Sequence, residues 1–181
     1  MTSASAPETA SKPEAGCLRL TDFATTAETE AWFTVNDGVM GGQSSGGPTF
    51  TDSVMNFAGT INTDGGGFSS IRASLADGVM ADTTSIMLRV RTDGRQYKLT
   101  LRDAVERSVR LVSYQGDVPQ TTPGEWETVT IQFEDLRASS VGREIETEAF
   151  DRAQATEIGF IISDGVDGDF LAEFDWIDLC N

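Results

Sequence analysis

The stretch Ile86-Met87-Leu88-Arg89-Val90-Arg91-Thr92-Asp93-Gly94-Arg95-Gln96-Tyr97-Lys98-Leu99-Thr100-Leu101-Arg102 alternates apolar and polar side chains on either side of an Asp-Gly pair. Successive side chains of an extended strand point to opposite faces, so the alternation predicts strands over residues 86–91 and 97–102. Asp-Gly favours a two-residue type I′ turn, and the spacing therefore predicts a hairpin. In that register Arg91 faces Gln96, Val90 faces Tyr97, Arg89 faces Lys98 and Leu88 faces Leu99. One face carries Ile86, Leu88, Val90, Tyr97, Leu99 and Leu101 and must be the core. The other carries Arg89, Arg91, Gln96, Lys98, Thr100 and Arg102, so four of the thirteen basic residues share it. Cations opposed across strands are unfavourable unless anions interleave. Either the protein's own acids sit among them on a solvated sheet, or a ligand or partner loop does.

The same period of two runs outward in both directions. Candidate strands are residues 18–23, 54–61, 68–73, 109–114, 127–133, 157–163 and 170–179, with turn signals between nearly all of them. That is the pattern of an all-β sandwich or barrel. Short helical turns are expected only over residues 26–32 and 144–153. Residues 1–16 are mostly Ser, Thr, Ala, Pro and Glu, with Lys12 and Gly16 and no large apolar residue after Met1. They are read as a disordered tail, and residues 17–181 as one folded domain, a length that one core can serve. The tail lacks the apolar run of a secretory signal and, being acidic and without Arg, does not suit a transit peptide. No stretch approaches the roughly 18 apolar residues of a membrane span. A soluble, cytoplasmic protein without membrane insertion is expected.

Composition excludes much chemistry. The 181 residues include 29 acidic, 13 basic and no histidine side chains, a formal net charge of −16. Without histidine there is no Ser-His-Asp or Cys-His machinery and no histidine metal site. Two cysteines, Cys17 and Cys180, do not make a four-thiolate zinc site, and no metal or cofactor is expected. The charge repels phosphate backbones, so no nucleic-acid partner is expected, and it favours a soluble monomer. Cys17 and Cys180 lie at the start of the first strand and the end of the last. They are read equally well as a disulfide closing nearly the whole chain or as two thiols in a reducing compartment.

Gly41-Gly42-Gln43-Ser44-Ser45-Gly46-Gly47 lacks the Gly-Lys-Ser/Thr ending of a phosphate loop and is read as a close-packed turn. Asp37-Gly38-Val39-Met40 recurs as Asp77-Gly78-Val79-Met80 with different flanks, which is turn chemistry and not a repeat. Asp164, Asp167 and Asp169 form an acidic loop without EF-hand spacing. Trp32, Trp126 and Trp176 are read as core or rim residues, with sugar stacking as the rival role.

Further residues resemble a known family. Trp32-Phe33-Thr34-Val35-Asn36-Asp37-Gly38-Val39-Met40-Gly41-Gly42-Gln43-Ser44 closely resembles the opening signature of the complex I intermediate-associated protein 30 family. In the family's order follow Phe57-Ala58-Gly59-Thr60 and Gly66-Gly67-Phe68-Ser69-Ser70-Ile71-Arg72. Leu88 to Lys98, Gly124-Glu125-Trp126-Glu127-Thr128-Val129, Ile158 to Asp164 and Phe174-Asp175-Trp176-Ile177 complete the match. Tyr114-Gln115-Gly116-Asp117 and Gln132-Phe133-Glu134-Asp135-Leu136 depart from the pattern. The resemblance implies a galactose-binding-like jelly-roll β-sandwich, similar to some carbohydrate-binding modules. It also implies a non-enzymatic, chaperone-like role towards client proteins such as complex I subunits. A carbohydrate-binding module is the alternative. Candidate contact residues are Asn36, Asp37, Gln43 and Ser44 in the Gly-rich loop, where polar groups are often functional, together with Arg72, Arg89, Arg91, Lys98 and Arg102.

Overall fold

The structure is a computed structural model and describes residues 11–181. Of the tail expected over residues 1–16, residues 1–10 lie outside the described residues. Residues 11–16 lead irregularly into the first strand, touching it where the Arg19 guanidinium donates to the Ser11 carbonyl at 2.7 Å.

The strands are β1 (Cys17–Thr21), β2 (Trp32–Asn36), β3 (Ser45–Thr51), β4 (Val54–Ile61), β5 (Ser69–Ser74), β6 (Ser85–Thr92) and β7 (Tyr97–Asp103). After them come β8 (Val112–Asp117), β9 (Glu127–Gln132), β10 (Arg137–Ser140), β11 (Arg143–Glu144), β12 (Ala155–Ile162) and β13 (Gly168–Cys180). One short helix, α1 (Thr26–Glu30), opens on a capping box between Thr25 and Glu28, the reciprocal pairing that satisfies two N-terminal donors. The first sheet has the order β3-β4-β13-β6-β9, with β1 also on β13; the second is β11-β10-β8-β7-β12-β5-β2. The fold is all-β, as the alternation predicts, and is a sandwich of two antiparallel sheets of the jelly-roll kind that the resemblance implies. Aromatic rings bridge the layers: Phe160 of β12 stacks on Phe174 of β13 with centroids 4.2 Å apart.

The expected hairpin is not formed. β6 pairs with β13 and β9 in the first sheet, and β7 pairs with β12 and β8 in the second. Asp93-Gly94 instead carries the chain from one layer to the other. Local alternation cannot distinguish the two outcomes, because a strand buries the same alternate residues whichever sheet it joins. The long-range partners decide. The Asp93 carboxylate accepts from the Tyr97 hydroxyl at 3.0 Å and from the backbone N–H of Leu171 at 2.8 Å. The Arg95 guanidinium grips Asp164 at 2.7 and 2.9 Å and donates to the carbonyls of Val166, Gly168 and Asp169. The turn is thus tied to the loop before β13 and not folded back on β6. The expected core survives, since Ile86, Leu88, Val90, Tyr97, Leu99 and Leu101 are all buried. The expected polar face does not. Arg89 and Arg91 project from the outside of the first sheet, Lys98 and Arg102 from the outside of the second.

Two other segments differ from expectation. Residues 109–111 turn before β8, with Leu111 at φ 57°. In place of a helix over residues 144–153 the chain runs irregularly as far as Asp151, its carbonyls at Glu148 and Ala149 taken by the Tyr114 hydroxyl and Arg107. One 3-10 turn, Arg152–Gln154, follows. At the start of β13's C-terminal half, a register slip between Phe174 and Trp176 sets Trp176 opposite Arg89. The slip turns the indole outward, where the Arg19 guanidinium covers it, 4.9 Å from the ring. Cys17 lies opposite Cys180 in the β1–β13 ladder, and the two are joined by a disulfide.

Candidate functional site

Asp37 is the centre of the Gly-rich loop. It is fully buried, and its carboxylate accepts backbone N–H groups from Ser44 at 2.9 Å, Gly67 at 2.6 Å and Phe68 at 3.3 Å. Burial alone would raise this carboxyl's pKa, but the hydrogen bonds from Ser44, Gly67 and Phe68 outweigh it and hold the group below the usual carboxylate range. The fit explains two glycines. A Cβ on Gly42 would fall 2.3 Å from Asp37 Cγ, and one on Gly66 2.4 Å from Oδ2. Around this knot, Asn36 accepts from the Ser69 hydroxyl at 2.7 Å and donates to the Gly46 carbonyl at 3.1 Å. The Ser44 hydroxyl bridges the backbone of Asn62, accepting its N–H at 3.0 Å. Asn36, Asp37 and Ser44 therefore use their polar groups to bind β2, β3 and the turn before β5 together. Gln43 points to solvent, beside exposed Val39 and Met40. The repeated tetrapeptide makes a turn both times with burial reversed: Met80 is buried while Asp77 is exposed.

On the outside of the first sheet, acids interleave with the basic residues. Arg91 holds Glu173 through two bonds of 2.5 and 2.6 Å, which raises the Arg91 pKa. Arg89 lies 3.4 Å from Asp175. Both guanidinium groups lie over Trp126, 4.8 Å from the ring for Arg91 and 5.8 Å for Arg89. This face is saturated by its own charges. Because the Arg91–Glu173 pair is partly exposed, Glu173→Gln is expected to cost no more than about 1 kcal/mol of stability. Urea unfolding at low and high salt checks this, and the difference should shrink as salt screens the pair.

The outside of the second sheet is built differently. Arg72 of β5, Glu157 of β12 and Arg102 of β7 project together, with Glu157 3.4 Å from Arg72 and 3.5 Å from Arg102. Two guanidinium groups thus share one carboxylate. Burial, and then the proximity of Arg102, lower the Arg72 pKa against the pull of Glu157. Lys98 stands four residues from Arg102 along β7, 3.9 Å from Asp117. It opens onto a depression of about 360 Å³ whose walls include Gln115, Arg137, Ser139 and Glu144. A larger depression, about 620 Å³, lies between Phe133, Phe150 and Arg152 and contains none of the residues picked from sequence. Arg72, Lys98 and Arg102 are therefore brought together, while Arg89 and Arg91 face the opposite way. Glu157, Gln115 and Arg137 were missed, since only the β12–β7 and β8–β10 registers place them beside the others. Asp164, Asp167 and Asp169 each take a protein partner: Arg95, the Thr63 N–H and the Thr60 hydroxyl.

With this geometry in place, the model of the family described as Complex I intermediate-associated protein 30 matches residues 21–173. The chain belongs to that family. The matched residues include the Asp37 knot and the Asp93–Arg95 crossing between sheets. Among solved structures, this family member is similar to a family 11 carbohydrate-binding module from Clostridium thermocellum in complex with a β-1,3-1,4-mixed-linked tetrasaccharide. That likeness has 18% identity and a TM-score of 0.67, covering 93% of this chain and 98% of the module. The same family 11 module of the cellulosomal cellulase Lic26A-Cel5E aligns at 19% identity and the same TM-score, over 93% and 96%. An agarase aligns at 10% identity and a TM-score of 0.59, over 92% of this chain and 25% of the enzyme. At these identities the likeness shows the fold, a galactose-binding-like β-sandwich. No curated protein matches the sequence significantly. No helix among the described residues is long and apolar enough to cross a membrane.

Proposed function

We propose that this domain is a non-enzymatic protein-binding module that engages a client during assembly of a respiratory or other multi-subunit membrane complex. Membership of the complex I intermediate-associated protein 30 family carries the reading. The geometry supports it: the signature residues Asn36, Asp37 and Ser44 serve the scaffold, which leaves an outer sheet face free of that duty. On that face Arg72 and Arg102 share the single carboxylate of Glu157, and Lys98 stands beside Asp117. The test is a tagged pull-down from detergent-solubilised native cells, read by mass spectrometry against an unrelated acidic β-sandwich. Enrichment of complex I subunits, or of one other membrane assembly, is expected; recovery no different from the control rejects the reading.

Carbohydrate binding is the second reading, favoured by the open depression beside Lys98 and by the likeness in fold to carbohydrate-binding modules. Sugar-binding faces use aromatic platforms, and on this face Phe33 of the edge strand β2 is the one exposed aromatic among the described residues. Calorimetric titration with glucans, galactans and acidic polysaccharides tests it, and the absence of heat with all of them would end it.

A further inference from the structure

We infer that Arg72 and Arg102 form a carboxylate subsite on the outer face of the second sheet, receiving an Asp or Glu side chain of a client protein. The inference deepens the protein-binding reading and rests on it. Its starting point is how little these two side chains do for their own fold. A guanidinium carries five N–H donors. Arg72 donates one long hydrogen bond, 3.4 Å to Glu157, and Arg102 donates none among the described residues. The Nε atom of each is buried without a hydrogen-bond partner, although the side chains are only 17% and 28% exposed.

Other arginines of this protein show what satisfied ones look like. Arg91 holds both oxygens of Glu173. Arg95 holds both oxygens of Asp164 and three carbonyls besides. Arg107, whose Nε is likewise buried without a hydrogen-bond partner, differs in that its terminal nitrogens hold both oxygens of Asp103 at 2.5 and 2.9 Å. Against that background, two half-buried cations sharing one carboxylate leave a local charge of +1 in a chain of net charge −16. The terminal nitrogens of Arg102 make no hydrogen bond among the described residues and are not buried, and there a second carboxylate would supply missing acceptors and the missing charge together. Guanidinium and carboxylate meet through paired, charge-assisted hydrogen bonds, so the subsite selects a planar anion over a neutral hydroxyl.

The surroundings point to a peptide. Phe33 is the cross-strand neighbour of Arg72 in the β2–β5 ladder and is 43% exposed. It gives the subsite an apolar margin suited to a leucine or valine beside the acidic residue. On the opposite side Lys98 leads to the depression lined by Gln115 and Arg137, which would take the polar continuation of the segment.

The experiment follows the Nε–H signals of Arg72 and Arg102 by NMR during titration with an octapeptide of alternating Leu and Glu. Its Leu-Gln counterpart, polygalacturonate, and the double variant Arg72→Gln/Arg102→Gln are the controls. The Glu peptide is expected to move both signals and the Gln peptide neither. The double variant should bind roughly tenfold more weakly with an unchanged melting midpoint, since the pair contributes little to the fold. No movement of either signal overturns the subsite. Movement with polygalacturonate alone overturns the peptide assignment in favour of an acidic glycan. In the pull-down, a double variant that captures the client as well as the wild type overturns the subsite and leaves protein binding standing. Failure of the wild-type pull-down rejects protein binding, while the peptide titration still judges the subsite.

Discussion

Reducing the Cys17–Cys180 disulfide is expected to lower the unfolding free energy by about 4–5 kcal/mol. The bond spans a sequence separation of 163 residues, and the entropy removed from the unfolded chain grows with loop length. For a domain of this size the same change should lower the melting midpoint by about 10–20 °C. Calorimetry with and without reductant, and on Cys17→Ala/Cys180→Ala, measures it. The double variant should melt with the reduced wild type and be insensitive to reductant. A midpoint unmoved by reductant would show that the β1–β13 ladder holds the chain ends without the bond. The size of the effect also bears on where the protein works at full stability. A compartment that keeps thiols reduced would remove this contribution.

Replacing Asp37 with Ala is expected to cost about 4 kcal/mol or more, without Asp37 touching any partner. Three backbone N–H groups, those of Ser44, Gly67 and Phe68, would lose their shared acceptor inside the protein, at about 1–3 kcal/mol each. Asp37→Asn keeps the shape and one acceptor oxygen but turns an amide N–H₂ towards donors, and should cost about 2–3 kcal/mol. The folded-state pKa lies below the unfolded one. The stabilisation is therefore complete above the unfolded value of about 3.9 and is lost as pH falls through the folded value. Urea unfolding should show the gap between wild type and Asp37→Asn at neutral pH, narrowing below about pH 4. Equal stabilities at neutral pH would show that Asp37 does not tie the loops. Because the proposed client face does not include Asp37, both variants should retain client capture at temperatures where they remain folded.

Legibility in the sequence followed position in the sheets. Central strands showed clearly: β4, β6, β7, β12 and β13 bury one face against the opposite sheet, and alternation records that. The unpredicted strands β2, β3, β10 and β11 lie at or next to sheet edges. There burial is partial, and β3, Ser-Gly-Gly-Pro-Thr-Phe-Thr, reads as a loop. A proline that cannot donate to a ladder is tolerated at an edge, which is where Pro48 sits. The hairpin misreading has a related cause, since Asp93 and Arg95 are held by Leu171 and Asp164, more than 60 residues away in sequence, and local turn chemistry carries no trace of those partners. Signature residues that looked like contact residues turned out to be mutually satisfied, whereas Arg72 and Arg102 stand out only once their unmet hydrogen bonds can be seen. Interleaved acids were one of two expected outcomes for the basic residues, and the structure realises it for Arg89 and Arg91.

The meeting of Cys17 and Cys180, 4.1 Å apart between Cα atoms, makes the stretch between them nearly a circle. A ring of this kind can be opened elsewhere. A short peptide joining residue 180 to residue 17, with new ends cut in the exposed turn at residues 108–110, would leave both sheets with their strand order intact. Such a permuted chain would have its first strand drawn from the middle of the present sequence. It would carry any attached tag or fluorophore at the rim between β7 and β8, and no longer at the corner where β1 meets β13. The same fold would then report from the edge of the second sheet.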